Sequence, residues 1–346
     1  MTKQPLLALA VLLSTAVPTA AQVHLNGAGA TFPNIIYQNW MLTYNQTHPD
    51  VKLNYQSIGS GGGIRQFSDG TVDFGGTDAP MSDSAIAAIG GNVLHIPTVM
   101  GAVVAVYNLQ GLPQAVRFTP DVLADIFLGK ITKWNDARLA SINAGVTLPA
   151  SDIIVVHRAD GSGTSYVFTD YLSKVSSEWQ QKVGKGPSVN WPVGLGGRGN
   201  EGVASTVSQT PGAIGYVELA YATSNKIPFG TLRNSAGNWI TPSLQSVTAA
   251  AAGAMKDMGP STDFRVSITN SSGAQAYPIS SFTWFLVHKT YADTAKARAL
   301  VQFIWWAESE GQAKAPELSY APLPNELHPW IEARLKSVKA GGRSVL

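Results

Sequence analysis

Ile153-Ile154-Val155-Val156-His157-Arg158-Ala159-Asp160-Gly161-Ser162-Gly163-Thr164 reads as a β-branched strand that stops at a glycine turn. Val167, Tyr171 and Val175 then recur at helical spacing with Phe168 and Leu172 beside them, so the turn opens a helix. Gly161 and Gly163 let the backbone turn tightly and approach a ligand, and the first free amides of the helix aim their dipoles at whatever lies in front. Together with the permanent cation of Arg158, this is the composition of an anion site. A surface turn capped by Ser162 or Thr164, with Arg158 solvated, fits the same residues. The stretch alone leaves both readings open.

The same grammar recurs upstream. Residues 51–55 alternate Val, Leu and Tyr with polar side chains as a half-buried strand, and Gly59-Ser60-Gly61-Gly62-Gly63 then turns toward Ile64 and Phe67 of a predicted helix. Residues 72–76 form a strand-like piece that delivers Thr77 and Asp78 ahead of Pro80. Near the start, a brief strand closing at Leu25 and the turn Gly27-Ala28-Gly29-Ala30-Thr31-Phe32-Pro33 precede a helix. Its apolar face pairs Ile36 with Trp40 and Tyr37 with Met41. Each polar group here has an ordinary alternative. Thr31 can cap that helix, Ser60 can sit in a flexible loop, and Asp78 can be a cap, with Ser82 and Asp83 as rivals for a short helix over 84–89.

Downstream, residues 95–106 are apolar enough for a buried strand or a pair of strands. Thr119-Pro120 begins a helix that Gly129 ends, and Lys130 to Trp134 follow as loop. Residues 184–202 are glycine-rich, 213–217 form a short strand, 243–258 a helix, 282–287 a strand and 295–308 an amphipathic helix. Strands and helices alternate without internal repeat, which predicts α/β layers.

At 346 residues the chain exceeds the size at which one core usually stops growing, so two domains are expected. Its charged fraction of 13% is about half the usual quarter, and the net charge of +2 comes from scattered Lys and Arg. That distribution offers nucleic acid no basic stripe. There is no cysteine, hence no disulfide, thiol chemistry or lipidated cysteine. Lys3, the apolar run over 6–13 and Thr19-Ala20-Ala21 before Gln22 read as a secretory leader over 1–21, cut after Ala20 or Ala21. The mature protein is therefore expected to be soluble outside the cytoplasm.

In open α/β sheets, ligands sit at the carboxyl ends of strands beside helix starts, so the turns around Thr31, Ser60, Thr77-Asp78 and Ser162-Gly163-Thr164 can converge on one cleft. They would supply neutral donors, one guanidinium and one carboxylate. A carboxylate suits an anion only when the anion carries its own proton. Hydrogen phosphate has one to give, sulfate has none, and sites built to use a ligand hydroxyl reject the analogue lacking it by roughly 10⁴-fold. Other motifs fail. Gly194-Leu195-Gly196-Gly197-Arg198-Gly199, with Glu218 downstream, matches a dinucleotide fingerprint, but Val189-Asn190-Trp191-Pro192 before it is a poor strand. Asp160 stands where a nucleophile elbow around Ser162 needs glycine. The six histidines show no zinc spacing.

With these residues assembled, the chain resembles the periplasmic phosphate-binding proteins of the phosphate-specific ABC transporter. The segments that carry the likeness are 27–33, 59–63, 72–80, 127–134, 158–164, 194–202 and 211–217, and it continues through Tyr277-Pro278-Ile279 to the C-terminal helices. The resemblance implies phosphate contacts from the amides of Thr31 and Phe32 and the Thr31 hydroxyl, from Ser60, and from Ser162, Gly163 and Thr164. It makes Arg158 the charged contact, Asp160 its partner, and Asp78 the acceptor of the phosphate proton. Gly61 and Thr77 stand where relatives often have serine. The resemblance also implies a type II α/β clamshell, each lobe a mixed sheet flanked by helices, with the ligand between lobes. Lobe I would take residues 22–98 and 278–346, and lobe II residues 99–277, with crossings near Val99 and near residues 274–278. The expected partners are inorganic phosphate and the membrane permease subunits of an ABC importer. The expected protein is a monomer, with no enzymatic activity, no metal and no cofactor. An exported phosphatase using the same cradle, or a scaffold that has lost its ligand, are the alternatives.

Overall fold

The computed structural model describes residues 22–259 and 262–346; the expected leader over 1–21 lies outside the described residues. The chain runs β1 (Val23–Gly29), α1 (Asn34–Thr47), β2 (Val51–Ser57), α2 (Ser60–Ser68), β3 (Phe74–Thr77), α3 (Asp83–Ala88) and the long β4 (Leu94–Tyr107). Next come β5 (Arg117–Phe118), α4 (Pro120–Phe127), α5 (Ala137–Ile142), β6 (Ile154–Arg158), α6 (Gly163–Val175) and α7 (Ser177–Lys182). Then follow β7 (Leu195–Gly197), α8 (Gly199–Gln209), β8 (Ala213–Glu218), α9 (Leu219–Ser224), β9 (Thr231–Arg233), β10 (Trp239–Ile240) and α10 (Leu244–Ala252). The chain closes with β11 (Ser280–Val287), β12 (Thr290–Tyr291), α11 (Thr294–Glu308), α12 (His328–Lys336), β13 (Lys339–Ala340) and β14 (Arg343–Ser344).

Eight strands form one mixed sheet in the order β2-β1-β3-β11-β4-β8-β6-β7. β1, β2 and β3 are parallel to one another, as are β6, β7 and β8, and the antiparallel pairs β11/β3, β11/β4 and β4/β8 join the two sets. β4 is the member common to both halves. Its residues 94–102 pair with β11 and its residues 103–107 with β8. All fourteen positions of β4 are buried, so its sequence shows an unbroken apolar run instead of alternation.

Aromatic side chains pack each half just behind the strand ends. Tyr37 of α1 stacks on Phe285 of β11 at 4.4 Å between centroids and meets Tyr55 of β2 edge-on at 5.2 Å. In the other half, Phe168 of α6 stacks on Tyr216 of β8 at 4.3 Å. Burying a ring of Phe size stabilises by about 1.5–3 kcal/mol. The polar tip of Tyr216 then serves the surface above, accepting the Arg158 amide at 3.1 Å and sharing a 2.6 Å bond with Ser165 Oγ.

Three expectations need correction. The first strand continues past Leu25 to Gly29, because β2 and β3 pair along both of its edges. Thr31 is no helix cap: α1 starts after Pro33, which makes no side-chain cap bond. The helix expected over 243–258 ends at Ala252, after a capping box at Ser243 and Ser246, because Gly253 follows and only a separate 3-10 turn over Met255–Asp257 comes after it. By contrast, Ser82 and Ser162 cap α3 and α6 with their hydroxyls. The structure thus chooses Ser162 over Thr164 as the cap and frees Thr164 for other bonds.

Candidate functional site

Strand register builds the site. β1 lies between β2 and β3 with Gly29 beside both Ser57 and Gly76, so the turns carrying Thr31, Ser60 and Asp78 leave the sheet side by side. On the other half, Arg158 pairs with Gly197, so the turn into α6 and the turn into α8 also emerge together. The sequence points to four hydroxyl-bearing turns; the structure brings a fifth, Arg198-Gly199-Asn200, into the group.

These turns meet in contact. The Gly61 amide donates to the Gly161 carbonyl at 2.8 Å, tying the start of α2 to the turn before α6. Gly59, at φ +86°, faces Asp160, and a Cβ there would strike the Asp160 carboxylate. A Cβ on Gly163 would strike both Ser60 Oγ and the Asp78 carboxylate, so only glycine admits the approach of α6 to the opposite wall. The Asp78 amide donates to Ser60 Oγ at 3.1 Å. Asn200 Nδ2 donates to Thr31 Oγ1 at 2.7 Å and to Thr164 Oγ1 at 3.1 Å, joining residues 133 positions apart in the chain through one amide.

All eight ligand residues named from the sequence, Thr31, Phe32, Ser60, Asp78, Arg158, Ser162, Gly163 and Thr164, are buried, and Asp160 is half-buried beside them. The amides of Thr31, Phe32, Ser60, Gly163 and Thr164 have no hydrogen-bond partner among the described residues. Ser162 contributes less than its neighbours. Its amide is taken by the Pro187 carbonyl at 2.8 Å and its Oγ caps Ser165, so only its hydroxyl proton is left. Of these residues, two also bear buried charged atoms without partners: Asp78 Oδ2 and Arg158 Nη1. Buried polar atoms are normally satisfied, and one orphan carboxylate oxygen and one orphan guanidinium nitrogen in the same cleft are groups that a bound ligand would satisfy.

The two charges are held differently. Arg158 gives Nε to Asp160 Oδ1 at 2.8 Å and Nη2 to Asp160 Oδ2 at 2.5 Å, a fork that fixes the guanidinium plane. Burial works against the Asp160 charge, but the bonds and charge of Arg158 and the Gly199 amide outweigh it and hold the carboxyl below its ordinary range. Asp78 has weaker support. Burial pushes its carboxyl up to about 7, only partly offset by the Thr283 hydroxyl at 3.0 Å on Oδ1, the Arg158 charge and Ser60. At neutral pH the cradle therefore has a paired cation and a carboxyl balanced between its two protonation states.

Sequence reasoning missed Asn200, Thr283, Tyr221 and Tyr320. Thr283 of β11 bonds Asp78, and Tyr221 and Tyr320 donate to the carbonyls of Thr31 and Phe32, each at 2.6 Å. Asn200 was visible inside the fingerprint-like glycine stretch. The short strand β7 runs through that stretch and α8 opens at its last glycine, so the motif marks this fifth turn. Among the described residues no group of three or more metal-ligating side chains is found, and no helix is long and apolar enough to cross a membrane.

A family model described as the PBP superfamily domain matches residues 14–310. The chain is 48% identical over 324 residues to the phosphate-binding protein PstS of Xylella fastidiosa (strain 9a5c), covering 92% of this chain and 88% of that one. It is 44% identical over 338 residues to the phosphate-binding protein PstS of Pasteurella multocida, covering 97% and 96%. Among solved structures, a phosphate-binding protein from Stenotrophomonas maltophilia superposes with a TM-score of 0.69 at 20% identity, covering 94% of this chain and 96% of that one. At that identity the superposition speaks for the fold, a type II binding-protein clamshell.

Proposed function

The chain belongs to the PstS family of phosphate-binding proteins, within the PBP superfamily, and from that premise we propose that it captures inorganic phosphate outside the cytoplasm and delivers it to an ABC-type import permease. The observation that carries this reading is the pair of orphan atoms, Asp78 Oδ2 and Arg158 Nη1, in a cleft otherwise lined with unspent N–H and O–H donors. A tetrahedral oxyanion with one proton answers every one of them. Thr31, Phe32, Ser60, Ser162, Gly163, Thr164 and Arg158 donate to its oxygens, and ionised Asp78 takes its proton. Sulfate would leave that carboxylate facing an unprotonated oxygen, which is the basis of discrimination. Fixed dipoles in a dry cleft bind the anion strongly without a long-range field that would attract every anion alike.

Lobe I comprises residues 22–98 and 278–346, lobe II residues 99–277, and the change of β4 from pairing with β11 to pairing with β8 between Ala102 and Val103 supports a crossing in that strand. Thr31, Ser60 and Asp78 then belong to one lobe and Arg158 to Thr164 to the other, so ligand contacts draw the cleft shut. The leader over 1–21 exports the protein, which works as a monomeric receptor and not as an enzyme. Calorimetric titration of the mature protein, stripped of carried-over anion, at pH 8 tests the reading. Phosphate is expected to bind one-to-one at micromolar or better, at least about 8 kcal/mol, with sulfate silent. Heat from neither anion would overturn it, and steady release of phosphate from a simple ester would favour the phosphatase alternative.

A further inference from the structure

We infer that Asn200 sets the direction of the threonine hydroxyls in the cradle, making Thr31 an obligate donor, biasing Thr164 the same way and leaving Asp78 to receive the ligand's proton. This role presupposes the phosphate site proposed above and names the device that gives it one polarity. Asn200 is fully buried at the start of α8. Its Oδ1 accepts the Glu218 amide at 3.0 Å. A backbone N–H can only donate, so that end of the side chain must be the oxygen and the NH₂ must face the other way. There it spends one proton on Thr31 Oγ1 and the other on Thr164 Oγ1, at 2.7 and 3.1 Å. The Asn200 backbone amide adds a second bond to Thr31 Oγ1 at 3.2 Å.

A hydroxyl has two lone pairs and one proton. Both lone pairs of Thr31 are occupied, so its proton is all that it can offer a ligand; Thr164 has one lone pair taken by Asn200 and is biased in the same sense. Without Asn200 either hydroxyl could rotate and present a lone pair to a ligand O–H, and the cradle would no longer distinguish an anion with one proton from one with two. The Glu218 amide that orients Asn200 is itself fixed, because the Glu218 side chain turns back to accept the Ala220 amide at 2.7 Å. Asn200 is thus a positioning residue acting through two threonines.

A double-mutant cycle on phosphate affinity tests this. Thr31→Val alone should weaken binding roughly 30-fold, the loss of one hydrogen bond to a charged ligand. Asn200→Ala should cost a similar factor, and Thr31→Val added to it should cost less than about threefold more, since the hydroxyl is no longer forced to donate. Asn200→Asp keeps the bond to the Glu218 amide but turns both threonine protons away from the ligand. It should weaken phosphate at least about 100-fold, with Thr31→Val in that background again nearly silent. Melting of the anion-free variants close to the parent temperature shows that they fold, and Asn200→Asp serves if Asn200→Ala does not. Fully additive losses in a parent that binds phosphate would sink the Asn200 role alone. A parent that binds no phosphate would sink the receptor reading and this role with it.

Discussion

The two walls of the cleft are built on opposite plans. The wall from β6 and α6 is contiguous: Arg158 to Thr164 supply cation, counterion, cap and free amides within one turn. The opposite wall is assembled from three turns, at Thr31, Ser60 and Asp78, which the parallel register of β2, β1 and β3 sets side by side. Their electrostatics differ in the same way. The cation of the contiguous wall arrives already paired with Asp160, whereas the carboxyl of the assembled wall is buried with one oxygen unsatisfied. On the proposed function, the contiguous wall would supply attraction that any oxyanion can use, and the assembled wall the choice among them.

Substitutions that separate attraction from choice probe this division. The largest effect is expected from Asp78→Asn, which removes the acceptor while keeping its shape. The ratio of phosphate to sulfate affinity at pH 8 should fall by about 10³-fold, a sizeable part of the discrimination that a lost hydroxyl partner can provide; an unchanged ratio in paired titrations would remove Asp78 from that role. Next, Arg158→Ala should weaken phosphate about 100-fold, the loss of a charge-assisted contact. In the Asp78→Asn background, where sulfate can be measured, it should weaken phosphate and sulfate alike. A loss confined to one anion would mean that the contiguous wall also selects.

The smallest effect should come from pH. With the Asp78 carboxyl pushed up to about 7 by burial, the protonated form present below that pH can donate to sulfate. Sulfate affinity in the parent should level off on the acid side and fall about tenfold per unit above pH 7. Sulfate binding that stayed flat from pH 5 to 9 would contradict this. The same shift has a stability consequence of definite sign. Its folded value lies above its unfolded one, so the stability this group contributes is full below about pH 4 and is lost as pH rises toward 7. Chemical denaturation of the anion-free protein at pH 5 and 8 should show the lower stability at pH 8, with the difference reduced in Asp78→Asn, the buried Glu218 and Glu308 carboxyls, also raised by burial, supplying the remainder.

The contiguous wall was legible in the sequence because its signals are local: a β-branched run, glycines that permit a turn, a hydroxyl at the cap position and helical spacing afterward. The three turns of the assembled wall were each legible as turns. Their convergence was not a local property, and it came from the rule that strand ends gather ligands together with the family likeness. Asn200, Thr283, Tyr221 and Tyr320 left no comparable trace. Asn200 bonds a threonine 169 residues away, Thr283 bonds a carboxylate 205 away and Tyr320 a carbonyl 288 away, and none of the four stands in a sequence context that announces a partner. The glycine stretch before Asn200 was read as glycine-rich and its nucleotide-fingerprint likeness set aside for want of a strand before it, so the helix that opens at Gly199 went unread. Cap identities were undecided for a related reason, because Ser162 and Thr164 are equally competent and only packing tells them apart.

β4 has a mechanical consequence. It is hydrogen-bonded to β11 along its first part and to β8 along its last, so neither half of the sheet can come apart without leaving a raw strand edge on the other. The two halves should therefore denature as one cooperative unit, with a calorimetric enthalpy matching the van't Hoff value, and a second resolved transition would show otherwise. If the proposed crossing lies in β4, the hinge is a continuous strand that would behave as a torsion spring, with opening and closing redistributing twist along a covalent ribbon paired on both sides of the crossing. Such a spring would let the proposed lobes swing many times without any part of the core melting.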